Sequence, residues 1–363
     1  MKSEPLKVYF WYMQVGLVML LSACRGKDPT RLAVLSTRDP EVRLATFTSA
    51  PTLTKVPTYE PTSPPTASLT LIPDPYFEYT VEYLVSRTFG GGELRLEQVL
   101  AENSYFTSYL ISYHSDGLAI FGFMNVPQGE GSFPVVISLH GYINPSVYNT
   151  LDYTTGYADA LARAGFLVLH PNLRGYPPSD DGGNLFRVGM AVDVLNLIAI
   201  VKDQASQPGP LEKADAGRLG LWGHSMGGGI STRVITVSQD VRAAVLYGAM
   251  SGDERQNFER ILNVFSDGQR GQEELSAPEE ALVRISPIFF LERIQSAVSI
   301  HHGENDGEVP PEWSKDLCQR LQDLGKTVEC FAYSGQPHTF YGEGEQLLIE
   351  RMIDFYNRFL RQP

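Results

Sequence analysis

The sequence predicts an α/β fold in which a mostly parallel sheet is covered by helices on both faces. Three observations lead to this prediction. Short apolar strands recur along the chain, helical stretches of ten or more residues separate them, and one strand runs into the glycine-rich turn LGLWGHSMGGG at residues 219–229. Parallel strands need long, usually helical connections, and burial on both faces makes them continuous apolar runs.

The predicted elements begin near residue 76. The stretch 106–127 is predicted to be a hairpin turning at Ser115-Asp116-Gly117, where Asp-Gly supplies the turn, and to form an antiparallel edge. Further strands are expected at 133–142, 165–175, 217–225, 241–251, 297–306 and 327–335, and helices at 153–164, 185–205, 226–237 and 311–324. A last helix is expected where Leu348, Met352, Phe355 and Phe359 recur at helical spacing. The polar stretch 252–286 interrupts this alternation, so we expect it to form a small helical lid.

The extreme N-terminus is predicted to be a targeting segment. Lys2 and Lys7 precede an apolar stretch at 8–21, which is short for a membrane span and has signal-peptide order. It closes on Leu21-Ser22-Ala23-Cys24, which resembles the lipobox of bacterial lipoproteins. The resemblance implies that residues 1–23 are removed and that Cys24 is lipidated. An uncleaved N-terminal anchor is the alternative, and either one predicts a chain exported to the cell envelope, at the outer face of the cytoplasmic membrane.

Residues 24–75 are predicted to be a tether between the membrane and the folded domain. Seven prolines and eight threonines lie between Thr46 and Pro75. Proline at this density blocks helices and sheet ladders and favours extended chain. The folded domain is therefore expected at residues 76–363, with the lid insertion at about 252–286.

The charge of the chain argues against a nucleic-acid partner. Its 42 acidic and 29 basic residues give a formal net charge of -13. Phosphate binding needs clustered Lys and Arg, and no basic run stands out beyond the N-terminus.

Two cysteines remain once Cys24 is set aside. Cys318 falls in a predicted helix and Cys330 in the strand that follows it. In an exported chain two cysteines suit one disulfide. Two buried free thiols are the alternative, because the sequence does not show whether the side chains face each other.

Ser225 is the candidate nucleophile. It is the centre of Gly223-His224-Ser225-Met226-Gly227, a GxSxG between a predicted strand and a predicted helix. In that context a strained turn exposes the serine hydroxyl at the top of the sheet. A serine hydroxyl needs a base to activate it, and the base needs an acid to orient it.

His338 and Asp306 are the candidate base and acid. On such a sheet the partners follow the nucleophile in the order serine, acid, histidine. His338 lies in a loop between the last strand and the last helix, whereas His301 and His302 precede the acids of residues 304–308.

These motifs resemble the prolyl-oligopeptidase-like and dienelactone-hydrolase-like serine hydrolases of the α/β-hydrolase superfamily. HGENDGEVP at residues 302–310 resembles an HGxxDxxVP segment in which the aspartate is the triad acid, which assigns Asp306. GQPHTF at 335–340 resembles the GxxHxF loop around the catalytic histidine, and GHSMGG at 223–228 resembles the nucleophile elbow. The resemblance runs from about Tyr79 to the C-terminus and implies an α/β-hydrolase fold.

Two backbone amides are candidates for an oxyanion hole, which needs donors aimed at the developing negative charge. One is the amide of Met226, directly after the nucleophile. SLHGY at residues 138–142 resembles the family's HG-plus-aromatic element and implies the amide of Tyr142 as the other. His140 and His224 stand beside glycines in these elements and are interpreted as structural. No metal or cofactor motif occurs, so neither is expected.

The predicted function is hydrolysis of small carboxylic esters or amides through an acyl-enzyme, as an esterase. The resemblance implies that a peptidase would carry a large propeller or similar domain that screens substrates by size. Fewer than about 60 residues separate the tether from the first core strand, which is too few for a propeller, and this favours an esterase. The alternative is a serine exopeptidase acting on short peptides or acyl-amino acids, with an acidic residue of the lid, such as Asp253 or Glu254, as the anchor for a free amine. A third reading is a catalytically inactive surface binding module.

Overall fold

The structure is a computed structural model that describes residues 74–361. The predicted signal segment, Cys24 and the tether up to residue 73 lie outside the described residues, and their roles stay predictions. In the part that is described, no helix is both long and apolar enough to cross a membrane.

A nine-stranded sheet forms the centre of the described domain. Its strands are β1 (Arg95–Glu102), β2 (Phe106–Ser115), β3 (Leu118–Pro127), β4 (Phe133–Leu139), β5 (Leu167–Pro171), β6 (Ala214–His224), β7 (Val241–Tyr247), β8 (Ala297–Gly303) and β9 (Val328–Tyr333). They lie in the order β1-β2-β3-β5-β4-β6-β7-β8-β9. Strands β4 to β9 are parallel, whereas β1, β2 and β3 pair antiparallel. The predicted mostly parallel sheet is confirmed.

Helices supply the connections between the parallel strands. Those of residues 74–361 are α1 (Val81–Ser86), α2 (Thr155–Arg163), α3 (Val188–Gln204), α4 (Met226–Val237), α5 (Glu254–Arg260), α6 (Gln272–Leu275), α7 (Glu279–Ile285), α8 (Pro311–Asp323) and α9 (Glu343–Leu360). The insertion after β7 consists of α5, a π-helical turn at Ile261–Phe265, α6 and α7, so the lid stretch is helical as expected.

The sheet separates two hydrophobic cores because side chains alternate along its strands. In β4, Val135 and Ile137 point into one core, whereas Val136 points into the other. Helices α2 and α9 cover the second core, and α1, α3, α4 and α8 cover the first. The domain is therefore a three-layer structure with helices on both faces.

The antiparallel hairpin of β2 and β3 is confirmed, and a further strand extends it. Asp116 and Gly117 both have positive φ, at 51° and 85°, the conformation that a tight hairpin turn requires. The added strand, β1, pairs with the outer side of β2. It was not predicted because its apolar residues Leu96 and Val99 are exposed, which leaves no buried alternation to detect.

One covalent link joins α8 to the sheet. Cys318 of α8 and Cys330 of β9 form a disulfide, with their Cα atoms 6.4 Å apart. Of the two states that the sequence left open, the structure has the disulfide. It holds α8 against the strand that leads to the His338 loop.

Candidate active site

The predicted site residues come together at one edge of the sheet. Parallel strands bring their carboxyl ends to the same edge, and each candidate follows such an end. Tyr142 follows β4, Ser225 follows β6, Asp306 follows β8 and His338 follows β9. Residues separated by almost 200 positions in sequence are thereby placed around one site.

Ser225 occupies a strained turn between β6 and α4. Its φ of 54° and ψ of -115° lie in a region that residues with a side chain rarely adopt. The turn is anchored through its backbone: the amide of Ser225 donates to the carbonyl of Tyr247 at 2.9 Å. Its carbonyl accepts hydrogen bonds from the amides of Gly228, Gly229 and Met250. The surrounding backbone therefore enforces the strained conformation.

Two glycines of the motif make this turn possible. A Cβ on Gly223 would lie 2.3 Å from the carbonyl oxygen of Gly227. A Cβ on Gly227 would lie 2.3 Å from the carbonyl oxygen of Leu139, at the end of β4. Both positions lack the space that any side chain needs, which explains the GxSxG spacing.

Asp306 and His338 form a buried hydrogen-bonded pair. His338 Nδ1 lies 2.7 Å from Asp306 Oδ2. The other carboxylate oxygen accepts from the backbone amides of Glu308 at 2.9 Å and Val309 at 2.8 Å. Burial alone raises the pKa of Asp306, but contacts with His302 and His338 outweigh it and hold the pKa well below its usual range. The carboxylate is therefore ionised and oriented toward Nδ1 of His338.

Ser225 and His338 line a common cavity of about 760 Å³ together with both predicted oxyanion-hole residues. Its other lining residues include Tyr153, Arg174, Tyr176, Arg187, Phe258, Ile261, Phe265, Arg270, Glu274 and Glu308. A larger groove of about 1150 Å³, lined by the loop at 89–94 and the turn at 207–211, contains none of the predicted site residues.

The backbone amides of Met226 and Tyr142 donate no hydrogen bond among the described residues. The amide of Met226 is the first of helix α4, where helical N–H groups have no intrahelical partner. The Tyr142 side chain is exposed, and the guanidinium of Arg270 donates to its hydroxyl at 2.8 Å.

The Ser225 hydroxyl is not hydrogen-bonded. Between residues 74 and 361 it has no partner within hydrogen-bond distance, His338 included, although both line the same cavity. Catalytic hydrogen bonds are often long in ligand-free sites and tighten when substrate binds. Asp306 and His338 are therefore hydrogen-bonded to each other, whereas the Ser225 hydroxyl is bonded to neither of them within the described chain.

His224 directly precedes Ser225, and both of its ring nitrogens are hydrogen-bonded, in keeping with its interpretation as structural. Its Nε2 lies 3.0 Å from the carbonyl oxygen of His338, so that nitrogen must carry the proton. Its Nδ1 then accepts from the hydroxyl of Tyr153, at 2.5 Å. Burial, with the His338 ring nearby, lowers the pKa of His224 to about 3, so the ring is neutral. The Tyr153 contact had no signal in the sequence.

His140 is also buried. Its Nδ1 lies 2.7 Å from the carbonyl oxygen of Gly141, and its Nε2 lies 2.9 Å from that of Asn172. Burial lowers its pKa. It contacts backbone on both sides and does not line the cavity.

The two acids predicted as amine anchors do not face the cavity. Glu254 is buried and forms ion pairs with Arg187 and Arg233, each at 2.5 Å. Asp253 caps helix α5 by accepting from the amide of Arg255. Neither residue lines the cavity. The two arginines that reach Glu254 come from distant segments and had no signal in the sequence.

Other charged groups line the cavity instead. Glu274 of α6 has no ion pair within the described chain, and burial raises its pKa. Glu308 Oε2 lies 3.7 Å from His338 Nε2. Arg270, in the tip of the lid, packs on the Tyr142 ring at 4.8 Å. Within residues 74–361, no group of three or more His, Cys, Asp or Glu side chains is arranged to hold a metal ion.

Comparison with known sequences agrees with this architecture. Residues 134–286 match the family model of the alpha/beta hydrolase fold. The uncharacterized peptidase YtmA of Bacillus subtilis (strain 168) is 27% identical over 254 residues, which span 68% of this chain and 92% of YtmA. The uncharacterized peptidase YuxL of the same organism is 24% identical over 254 residues, also 68% of this chain but only 37% of YuxL.

Solved structures with the same topology extend the match beyond the family model. Acetyl xylan esterase 1 from Thermoanaerobacterium sp. JW/SL YS485 superposes with a TM-score of 0.56 at 20% identity, over 78% of this chain and 94% of that one. The chain has the α/β-hydrolase fold. Acylaminoacyl peptidase of Pyrococcus horikoshii superposes with a TM-score of 0.57 at 22% identity, over 71% of this chain and 42% of that one. The α/β-hydrolase fold is thus shared with an esterase and with a peptidase.

Proposed function

We propose that this chain is a serine hydrolase that cleaves small carboxylic esters through an acyl-enzyme. The observation that carries the proposal is the buried Asp306–His338 hydrogen bond beside Ser225, which sits on a strained strand-to-helix turn. Ser225, His338, Met226 and Tyr142 line one cavity, and Asp306 is hydrogen-bonded to His338.

In the proposed mechanism, the Ser225 hydroxyl attacks the substrate carbonyl carbon while His338 Nε2 takes its proton. Asp306 holds the Nδ1 proton of His338 and stabilises the imidazolium that forms. The amides of Met226 and Tyr142 donate to the oxyanion. His338 then protonates the leaving group, and a water activated by the same nitrogen releases the acyl group from Ser225.

An ester substrate is favoured by the surroundings of the cavity. Two acids of the lid named as amine anchors for an exopeptidase do not line the cavity: Glu254 pairs with two arginines, and Asp253 caps a helix. The walls contributed by the lid are largely apolar, with Phe258, Ile261 and Phe265 among them. These apolar side chains of the lid suit a small acyl or alcohol group.

A serine exopeptidase acting on short peptides or acyl-amino acids is the second candidate. Glu274 favours it, since this half-buried carboxylate lines the cavity without an ion pair in the described chain and could bind a free amine. The peptidase relatives and the acylaminoacyl peptidase neighbour are consistent with it.

We further propose that the hydrolase is exported and held at the outer face of the membrane through lipidated Cys24, with residues 24–75 as a tether. The support is the lipobox-like sequence that ends at Cys24 and the proline density after it. Metabolic labelling with a fatty-acid analogue tests this: wild-type chain should be labelled and Cys24→Ala should not.

The activity test compares p-nitrophenyl acetate and butyrate with aminoacyl and dipeptidyl p-nitroanilides on the full chain, with Ser225→Ala as the control. We expect ester turnover that disappears in the Ser225→Ala variant and inert anilides. Serine-dependent anilide cleavage at comparable efficiency, lost in Glu274→Gln, would establish the exopeptidase instead. Failure of a fluorophosphonate to label Ser225, with no turnover, would leave a binding module.

A further inference from the structure

A second histidine lies against the carboxylate of Asp306. His302 Nε2 is 2.9 Å from Asp306 Oδ2, the same oxygen that accepts from His338. The same nitrogen hydrogen-bonds to the carbonyl oxygen of Val309 at 3.1 Å. Both groups are acceptors, so Nε2 must carry a proton, which it shares between them. His302 thus bridges the two ends of the turn formed by residues 306–309.

The opposite side of the His302 ring is also bonded. Its Nδ1 lies 2.6 Å from the hydroxyl of Ser314, in the first turns of α8. Because Nε2 carries a proton, Nδ1 is the nitrogen left to pair with the Ser314 hydroxyl, and the two contacts together orient the ring. Both side chains are buried, with 4% and 6% of their residue surfaces exposed. A ring held on both sides in this way has one orientation.

We propose that His302 is a positioning residue, whose imidazole holds the Asp306 carboxylate and the turn at 306–309 in the orientation that His338 requires. This inference rests on the proposed triad and adds a residue to it. The Oδ1 atom of Asp306 is held by two backbone amides. The Oδ2 atom is held by His302 in addition to His338. Losing it allows the carboxylate to rotate away from Nδ1 of His338.

The adjacent histidine offers a matched control. His301 is equally buried, but side chains alternate along β8, so its ring faces the other core. It contacts the hydroxyls of Ser299 at 2.9 Å and Tyr333 at 2.8 Å and touches none of the proposed catalytic groups. The same substitution at both positions removes a buried, hydrogen-bonded imidazole, but only one of them borders Asp306.

The experiment measures kcat, KM and thermal stability with p-nitrophenyl acetate on the full chain. His302→Leu should lower kcat about tenfold with KM unchanged, because ground-state binding does not involve Asp306. His302→Gln keeps an N–H donor near the position of Nε2 and should recover most of the lost kcat. His301→Leu should lose stability to a similar extent while keeping kcat.

Ser314→Ala serves if His302→Leu does not fold. This variant should lower kcat about threefold, because the His302 ring loses its contact with the Ser314 hydroxyl. Ser314→Thr keeps a hydroxyl and should restore kcat. Unchanged kcat in both His302→Leu and Ser314→Ala would overturn the inference, as would equal losses of kcat in the His301 and His302 variants. Turnover that persists in Ser225→Ala would instead refute the proposed function, which keeps the two failures distinguishable.

Discussion

The acid side of the site and the nucleophile turn are held in opposite ways. The carboxylate of Asp306 is surrounded by donors, with two backbone amides on one oxygen and two histidines at the other. The hydroxyl of Ser225 has no hydrogen-bond partner among the described residues. Its backbone is strained, and its amide and carbonyl are held by hydrogen bonds to neighbouring backbone. An orienting acid must keep one position throughout a reaction cycle, whereas a nucleophile must be free to change partners. The structure thus places side-chain restraint on one group and backbone strain on the other.

The strongest test of this contrast is the pair Ser225→Ala and Ser225→Gly. Both should lower kcat/KM by roughly 10⁴- to 10⁶-fold, because the nucleophile is lost. Only the glycine relieves the strain at φ 54°, so it should be about 1 kcal/mol more stable than the alanine variant. Urea unfolding of the two variants measures the difference. Equal stabilities would show that this turn stores no strain.

The next largest effect is expected for Asp306→Asn. The amide oxygen would stay with the amides of Glu308 and Val309, so the NH₂ group would face His338 Nδ1 and His302 Nε2, donor against donor. His338 would then adopt the wrong tautomer, and kcat should fall by about 10⁴-fold. Steady-state kinetics with an ester substrate measure this loss, and a loss below tenfold would contradict the orienting role of Asp306.

The same variant should change how stability depends on pH. The folded-state pKa of Asp306 lies below the ordinary value of 3.8, so its ionised form stabilises the fold. That contribution is complete above about pH 3.8 and is lost as the pH falls toward the folded-state pKa. The stability gap between wild type and Asp306→Asn should therefore be widest near neutral pH and narrow in acid. A gap that is constant with pH would show that the pKa of Asp306 is not depressed.

Local patterns in the sequence predicted most of the fold. Continuous apolar runs identify β4 to β8 because strands buried on both faces need no polar alternation, and the Asp-Gly turn identifies the hairpin. Strand β1 escaped detection because it lies at an edge with both faces largely exposed. Its pairing with β2 is a tertiary contact that leaves no periodic signal in its own residues.

The site was predictable where chemistry depends on spacing and order. Ser225, Asp306 and His338 were assigned from short motifs, and the structure gathers all three at the carboxyl edge of the sheet. The role of His302 could not be predicted from the sequence. His301 and His302 are adjacent identical residues, and only the structure shows which face of β8 each ring occupies. The ion pairs of Glu254 could not be predicted because its two arginine partners come from distant segments.

The smallest effect concerns the covalent support of the acid side. The disulfide holds α8 to β9, and its Cys318 lies one helical turn beyond Ser314, whose hydroxyl contacts His302. The cysteines are 12 residues apart, and closing a loop of this length stabilises a fold by about 2–3 kcal/mol. Cys318→Ser combined with Cys330→Ser should lower the free energy of unfolding by that amount, and reductant should destabilise wild type alone.

In the same double variant, hydrogen exchange should accelerate in α8 but not in α4, the helix that follows Ser225. Equal acceleration in both helices would show that the two sides of the site are not held independently.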